Sequence, residues 1–252
     1  MSTELISLLL SLFLGHPYVA STLEPKVVAA DPAAVVEPLI VNTDSVDCTT
    51  LVEYVTAARL CGMSDTIVKS DSAFLATLQG LRFREGRRGN YATRKHYFSE
   101  WIEEAEAKGW VSDISATLTG AKELQKEIHF MSQHPQSYPQ LEKCPQLVDS
   151  IRVVEQRLSQ KKVWFVPKEN IAKTYEQLKH GDIVVFLTSI GGLDVQHVGF
   201  VWKPDEKTPP HLYHASSAQH KVVVDQRTIG EYAMSQKTIT GIRVVRIAQH
   251  DK

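Results

Sequence analysis

Three residues of this sequence have types that could cooperate in nucleophilic chemistry: Cys48, His197 and His214. Cys48 follows Asp47 and opens the stretch Cys48-Thr49-Thr50-Leu51-Val52-Glu53-Tyr54. Leu51, Val52, Val55 and Ala58 recur there at helical spacing, so one face of a helix is expected to be hidden. Asp47 reads as its N-cap, accepting amide hydrogen bonds from the first turn. A helix start is worth roughly 0.3–1 kcal/mol to an anion, and up to about 2 in favourable sites. One pKa unit is about 1.4 kcal/mol, so the helix alone lowers a thiol by about one unit. The Asp47 carboxylate pushes the other way. A thiol starting near pKa ~8.5 therefore needs a further partner. Protonated His197, paired with the thiolate, fits that need, and His214 would fix the orientation and tautomer of His197.

Each residue also has a plainer reading. Asp-Cys before an apolar helix is often only a capped helix with a buried thiol, and a lone strand histidine is often structural. A Cys-His-His zinc site supplies enough ligands, but the short paired-ligand spacing of common zinc motifs is missing. No metal is therefore expected. Cys61 falls at a helix end and reads as a buried structural thiol, and Cys144, before Pro145, reads as a loop thiol without a role.

The elements that must position these groups fall into two regimes. Leu5–Leu14 is nearly continuous apolar sequence. No Lys or Arg precedes it and it is too short to span a bilayer, so it reads as a core helix ending at Gly15, with no export signal visible. A Pro- and Ala-rich loop runs to about Pro38. Residues 64 to about 160 read as a mostly helical insertion, with helices around Phe74–Leu78, Tyr97–Ile102 and Leu147–Leu158. Lys168–Lys179 reads as helical, ending at Gly181. The remainder is β-rich: Val163–Val166, Ile183–Thr188, Val195–Trp202, Leu212–Ala215, Val222–Asp225 and Ile242–Ile247, separated by turn signals. Helices first and strands later is an α+β pattern with an antiparallel sheet. One domain over 1–252 is expected. A hairpin register that sets His197 opposite His214 would hold their Cβ atoms roughly 4.5–5.5 Å apart.

Composition narrows the partners. A net charge of −1 over 252 residues argues against a nucleic-acid coat or an anionic-membrane binder. Hydrophobic residues at 43% and charged residues at 23% are ordinary for a globular chain with a sizeable core. Three cysteines form too sparse a set for a disulfide framework. The segment Arg82–Lys95 is basic, with Arg82, Arg84, Arg87, Arg88 and Arg94 interleaved with Phe83 and Tyr91. It reads first as a solvated loop and alternatively as a clamp for carboxylates.

Five segments in order resemble one family: Leu14-Gly15-His16-Pro17-Tyr18, Asp47-Cys48-Thr49-Thr50, Leu178–Val184, Asp194-Val195-Gln196-His197-Val198-Gly199-Phe200 and Tyr213-His214-Ala215-Ser216. The series is similar to the NlpC-type papain-like cysteine peptidases of bacterial cell-wall metabolism. Within them it resembles the branch linked to N-acetylmuramoyl-L-alanine amidase activity. Thr49-Thr50 stands where ordinary members have Ser-Gly, and Val19–Thr22 where they have Trp-Gly-Gly, which favours the amidase branch. The resemblance implies a nucleophile helix packed on an antiparallel sheet, with Cys48 as nucleophile, His197 as base and His214 as orienting residue. It implies Tyr18 in the substrate cleft, with Thr49 and Asp194 beside the substrate. By their charge alone, and not by the resemblance, Arg87, Arg88 and Arg94 are expected to meet stem-peptide carboxylates. No cofactor is implied, the partners are peptidoglycan fragments (muropeptides), and the setting is periplasmic or secreted. The alternatives are a γ-D-glutamyl peptidase on stem peptides and an inactive wall-binding module.

Overall fold

The computed structural model describes residues 2–24 and 27–248. Helix α1 (Ser2–Phe13) buries Ile6, Leu9, Leu10 and Phe13, which makes it a core helix as its sequence suggests. It ends before Gly15, whose φ of +84° only glycine adopts without strain. No helix among the described residues is long and apolar enough to cross a membrane.

Helix α2 (Cys48–Leu60) is central. It was expected to hide one face, yet every residue from Thr50 to Ala58 is buried. α1 and α3 (Ser72–Arg82) pack on one side of it, and the sheet packs on the other. A helix hidden all round gains roughly 1.5–3 kcal/mol for each buried Leu or Val. It must also find a partner for any buried charge, and Glu53 is such a charge. Helix α4 (Phe98–Ala107) completes this layer, closed by Gly109 at φ +68°.

The sheet is antiparallel throughout, in the order β2-β3-β8-β4-β5-β6-β7, with β1 on β8. Its strands are β1 (Val111–Asp113), β2 (Lys122–Gln125), β3 (Lys162–Pro167), β4 (Ile183–Thr188), β5 (Val195–Trp202), β6 (His211–Ser216), β7 (Lys221–Thr228) and β8 (Ile239–Ile247). β1 and β2 lie inside the 64–160 stretch that reads as mostly helical. At three and four residues they are too short to show a period. β4 is buried along its whole length because both faces are covered. Ile183 and Val185 face the α1–α4 layer, while Val184 and Phe186 face a second core with Val201, Leu212 and Ile229.

Two local expectations change. Lys168–Thr174 is a 3₁₀ segment rather than the start of an α-helix reaching Lys179. The Thr174 hydroxyl donates to the Ile171 carbonyl, a local bond that competes with helix propagation. Ile229–Ser235 forms helix α6, absent from the sequence reading, capped by a Thr228/Glu231 box. Helix α5 (Pro145–Ser159) packs a third cluster with Tyr91, Tyr97 and Met131.

Candidate active site

Cys48 occupies the first position of α2, as its sequence predicts. Asp47 is the N-cap, its Oδ1 accepting from Thr50 N at 2.8 Å, and the Thr50 hydroxyl closes a capping box by accepting from Asp47 N at 3.0 Å. The other Asp47 oxygen accepts from Thr22 N at 3.2 Å and from the Thr22 hydroxyl at 2.8 Å. One carboxylate thus holds both the start of α2 and the segment after Tyr18. Tyr18 pairs with Val46 by a parallel bridge, and burial together with the charges of Cys48 and Asp47 pushes its phenol up.

His197 lies on β5 and His214 on β6. The ladder between these strands sets Phe200 opposite Tyr213, Val201 opposite Leu212 and Trp202 opposite His211. That register differs by two residues from the one expected. Continued, it places Gly199, not His197, opposite His214, so the histidines meet on the diagonal. Their rings still touch: His197 Nε2 and His214 Nδ1 are 2.7 Å apart, with ring planes at 83°. Gly199 makes room, since a Cβ there would sit 2.6 Å from the Tyr213 carbonyl and 3.0 Å from His214 Cβ.

The Cys48 thiol lies near the backbone of Val198, the residue after His197, and near Thr49, and both lower its affinity for its proton. Tyr232 of α6 stacks obliquely on His197 at 6.2 Å, crosses His214 edge-on at 5.4 Å and feels the charge of Cys48. Tyr18, Cys48, His197, His214 and Tyr232 therefore converge on one place.

The electrostatics correct one expectation. Desolvation, then Asp47, pushes the Cys48 thiol up to about 11, and the nearby Val198 and Thr49 groups only partly oppose this. Desolvation, then His214, holds His197 down to about 3. His214 is held to about 4, chiefly by burial. This environment disfavours charge on both groups, the opposite of what a thiolate–imidazolium pair needs. An imidazole held neutral remains a proton acceptor.

The remaining residues singled out by sequence are placed differently. Arg87 and Arg88 are exposed. Arg94 is not a free clamp: it is buried, paired with Glu24 at 2.6 Å and Glu37 at 3.2 Å, with its guanidinium over the Tyr91 ring. Asp194 is also committed. It is buried and accepts from Ser99 N at 2.8 Å, capping α4 across the fold, and from Val195 N at 2.7 Å. Cys61 lies against the Thr77 hydroxyl at 3.6 Å and Cys144 is buried. Among the described residues no group of three or more His, Cys, Asp or Glu side chains is arranged to hold a metal ion. Tyr232, Asp225 and Arg227 escaped the sequence reading. The Thr228-Ile229-Gly230-Glu231 box was the available signal for the helix that carries Tyr232.

A thiol at a helix start and a histidine pair on the sheet behind it are groups that nucleophilic hydrolysis can use. The family described as AmiA-like, N-acetylmuramoyl-L-alanine amidase-like, matches residues 9–241, and the chain belongs to it. A crystal structure of an N-acetylmuramoyl-L-alanine amidase from Bacteroides uniformis is 36% identical, covering 98% of this chain and 99% of that one, with TM-score 0.85. A Bacteroides fragilis protein with a provisional xylanase label is 35% identical over 96% of this chain and 100% of that one, with TM-score 0.83. A Legionella pneumophila protein shares the fold at 20% identity, over 98% and 89% of the two chains, with TM-score 0.68. No curated protein matches the chain.

Proposed function

We propose that this protein is a cysteine-dependent N-acetylmuramoyl-L-alanine amidase of the NlpC papain-like kind, acting on peptidoglycan fragments outside the cytoplasm. The observation that carries this reading is the His197–His214 pair at 2.7 Å, with the Cys48 thiol near the backbone of Val198, the next residue on the same strand. Cys48 Sγ attacks the lactyl carbonyl of muramic acid while His197 takes the thiol proton. The tetrahedral oxyanion lies at the start of α2, where the Cys48 amide and the helix dipole stabilise it. His197 returns the proton to the L-alanine nitrogen, the C–N bond breaks and the stem peptide leaves. A thioester to the lactyl group remains. Water, deprotonated by His197, hydrolyses it. Tyr18 and Thr49 border the thiol and meet the substrate first, and Arg87 and Arg88 are the exposed cations for stem carboxylates.

Mass spectrometry of digested muropeptides tests the cleavage point. A free stem peptide beginning at L-alanine is expected. Release of an L-alanyl-D-glutamate dipeptide would instead assign a γ-D-glutamyl peptidase, and intact substrate would leave a wall-binding module.

The pH profile tests the protonation states. The base works only when neutral, so the acid limb of kcat/KM follows the depressed histidine values, about 3 and about 4, instead of the free-histidine range. Activity is expected to stay level from about pH 5 to about pH 9. An acid limb between about pH 6 and 7 would mean that a charged pair, or a solvated histidine, does the work.

A further inference from the structure

His214 carries an unanswered polar atom. Its Nδ1 faces His197, but its Nε2 is buried with no hydrogen-bond partner. The nearest charge is the Asp225 carboxylate on β7, whose Oδ2 lies 3.9 Å from that nitrogen. Both side chains are sealed from solvent, with His214 3% and Asp225 4% exposed. Asp225 is itself held rigidly. Its Oδ1 accepts from Arg227 N and Nε, both at 2.9 Å, and its Oδ2 accepts from Arg227 Nη2 at 2.8 Å. Arg227 is anchored in turn by the Ser235 hydroxyl at 2.8 Å and lies over the Tyr232 ring at 5.1 Å.

Between the two imidazoles one nitrogen must donate and the other accept. If His214 carries its proton on Nδ1, it donates to His197 Nε2. His197 must then hold its own proton on Nδ1, the only nitrogen left for the thiol, and it cannot act as a base. If His214 carries its proton on Nε2, its Nδ1 accepts from His197 Nε2–H and the lone pair of His197 Nδ1 is free. At 3.9 Å the Asp225 contact is electrostatic rather than a hydrogen bond; the carboxylate favours an N–H turned toward it, and the Arg227 charge opposes it from farther along the chain. We propose that Asp225, clamped by Arg227, is a positioning residue that fixes both histidines in their Nε2–H tautomers and so makes His197 able to accept the thiol proton. The proposal rests on the cysteine-amidase reading given above.

Imidazole ¹⁵N spectra of the ¹⁵N-histidine-labelled wild-type protein near neutral pH test it without any substrate. Both His197 and His214 are expected to be protonated on Nε2 alone, and either ring protonated on Nδ1 would overturn the proposal. In Asp225→Asn the negative charge is lost and an amide N–H dipole faces His214 Nε2, which favours the inverted pair. Both rings are then expected to move to Nδ1–H, and kcat to fall about 10²-fold with KM little changed. Asp225→Glu is expected to restore Nε2–H and most of kcat. Wild-type kcat in a folded Asp225→Asn variant with unchanged tautomers would refute the idea. If that variant does not fold, the wild-type spectra decide. Nε2–H spectra in a protein that leaves muropeptides intact would sink the amidase reading and leave the tautomer assignment standing.

Discussion

Converting Cys48 to alanine is expected to lower kcat on muropeptides by about 10⁴-fold or more, because the proposed reaction would lose the thiol that forms its acyl intermediate. A bulk water would have to attack the amide directly, helped only by the oxyanion donors at the start of α2. Stability should hardly move. The thiol is one small, partly exposed side chain at the first helical position, and the cap belongs to Asp47 and Thr50. Urea unfolding alongside the rate assay separates the two effects. A Cys48→Ala protein within tenfold of wild-type activity would end thiol catalysis for this chain. Iodoacetamide gives a second reading of the same atom. With its thiol pushed up to about 11, Cys48 should react slowly near neutrality and faster as pH rises. Cys61 is also partly exposed, so the label must be located by peptide mapping, with inactivation tracking Cys48.

What the sequence made legible was local. An Asp-Cys pair before an apolar run announces a helix start because N-capping is short-range chemistry, and α2 begins at Cys48 as read. Strand limits near His197 also followed from alternation and turn residues. Register did not. The β5–β6 ladder pairs Phe200 with Tyr213, an offset set by the connecting turn, which a periodicity of two does not report. The histidines meet anyway, since imidazoles on diagonal neighbours still reach one another. The basic loop was misread for a different reason. Arg82, Arg84 and Arg94 look solvated in sequence, but their partners Glu53, Glu100 and Glu24 come from other elements. Only Arg87 and Arg88 remain at the surface. Tyr232 was invisible because its role depends on α6 docking beneath the sheet, a tertiary event.

The largest stability effect is expected at the Glu53–Arg82 pair, which lies directly behind the nucleophile helix. Both side chains are 2% exposed. Arg82 Nε donates to Glu53 Oε2 at 2.8 Å, Nη2 lies 2.7 Å from the same oxygen, and Nη1 donates to the Ile40 carbonyl. The guanidinium also sits over the Tyr54 ring at 5.6 Å. Burial pushes the Glu53 carboxyl up, and the charge of Arg82 pulls it back. Removing one partner leaves an uncompensated buried charge, so Arg82→Met is expected to cost about 3–5 kcal/mol and Glu53→Gln somewhat less. Arg82→Met is the worse of the two because it also strands the Ile40 carbonyl, which tethers the chain leading into Asp47. The double variant Glu53→Leu/Arg82→Met should be more stable than Arg82→Met alone, because two apolar side chains carry no charge to desolvate. Urea midpoints at constant m-value measure this. Additive single costs, or an Arg82→Met cost below about 1 kcal/mol, would show that the pair is solvated in practice and that α2 is held by apolar packing alone.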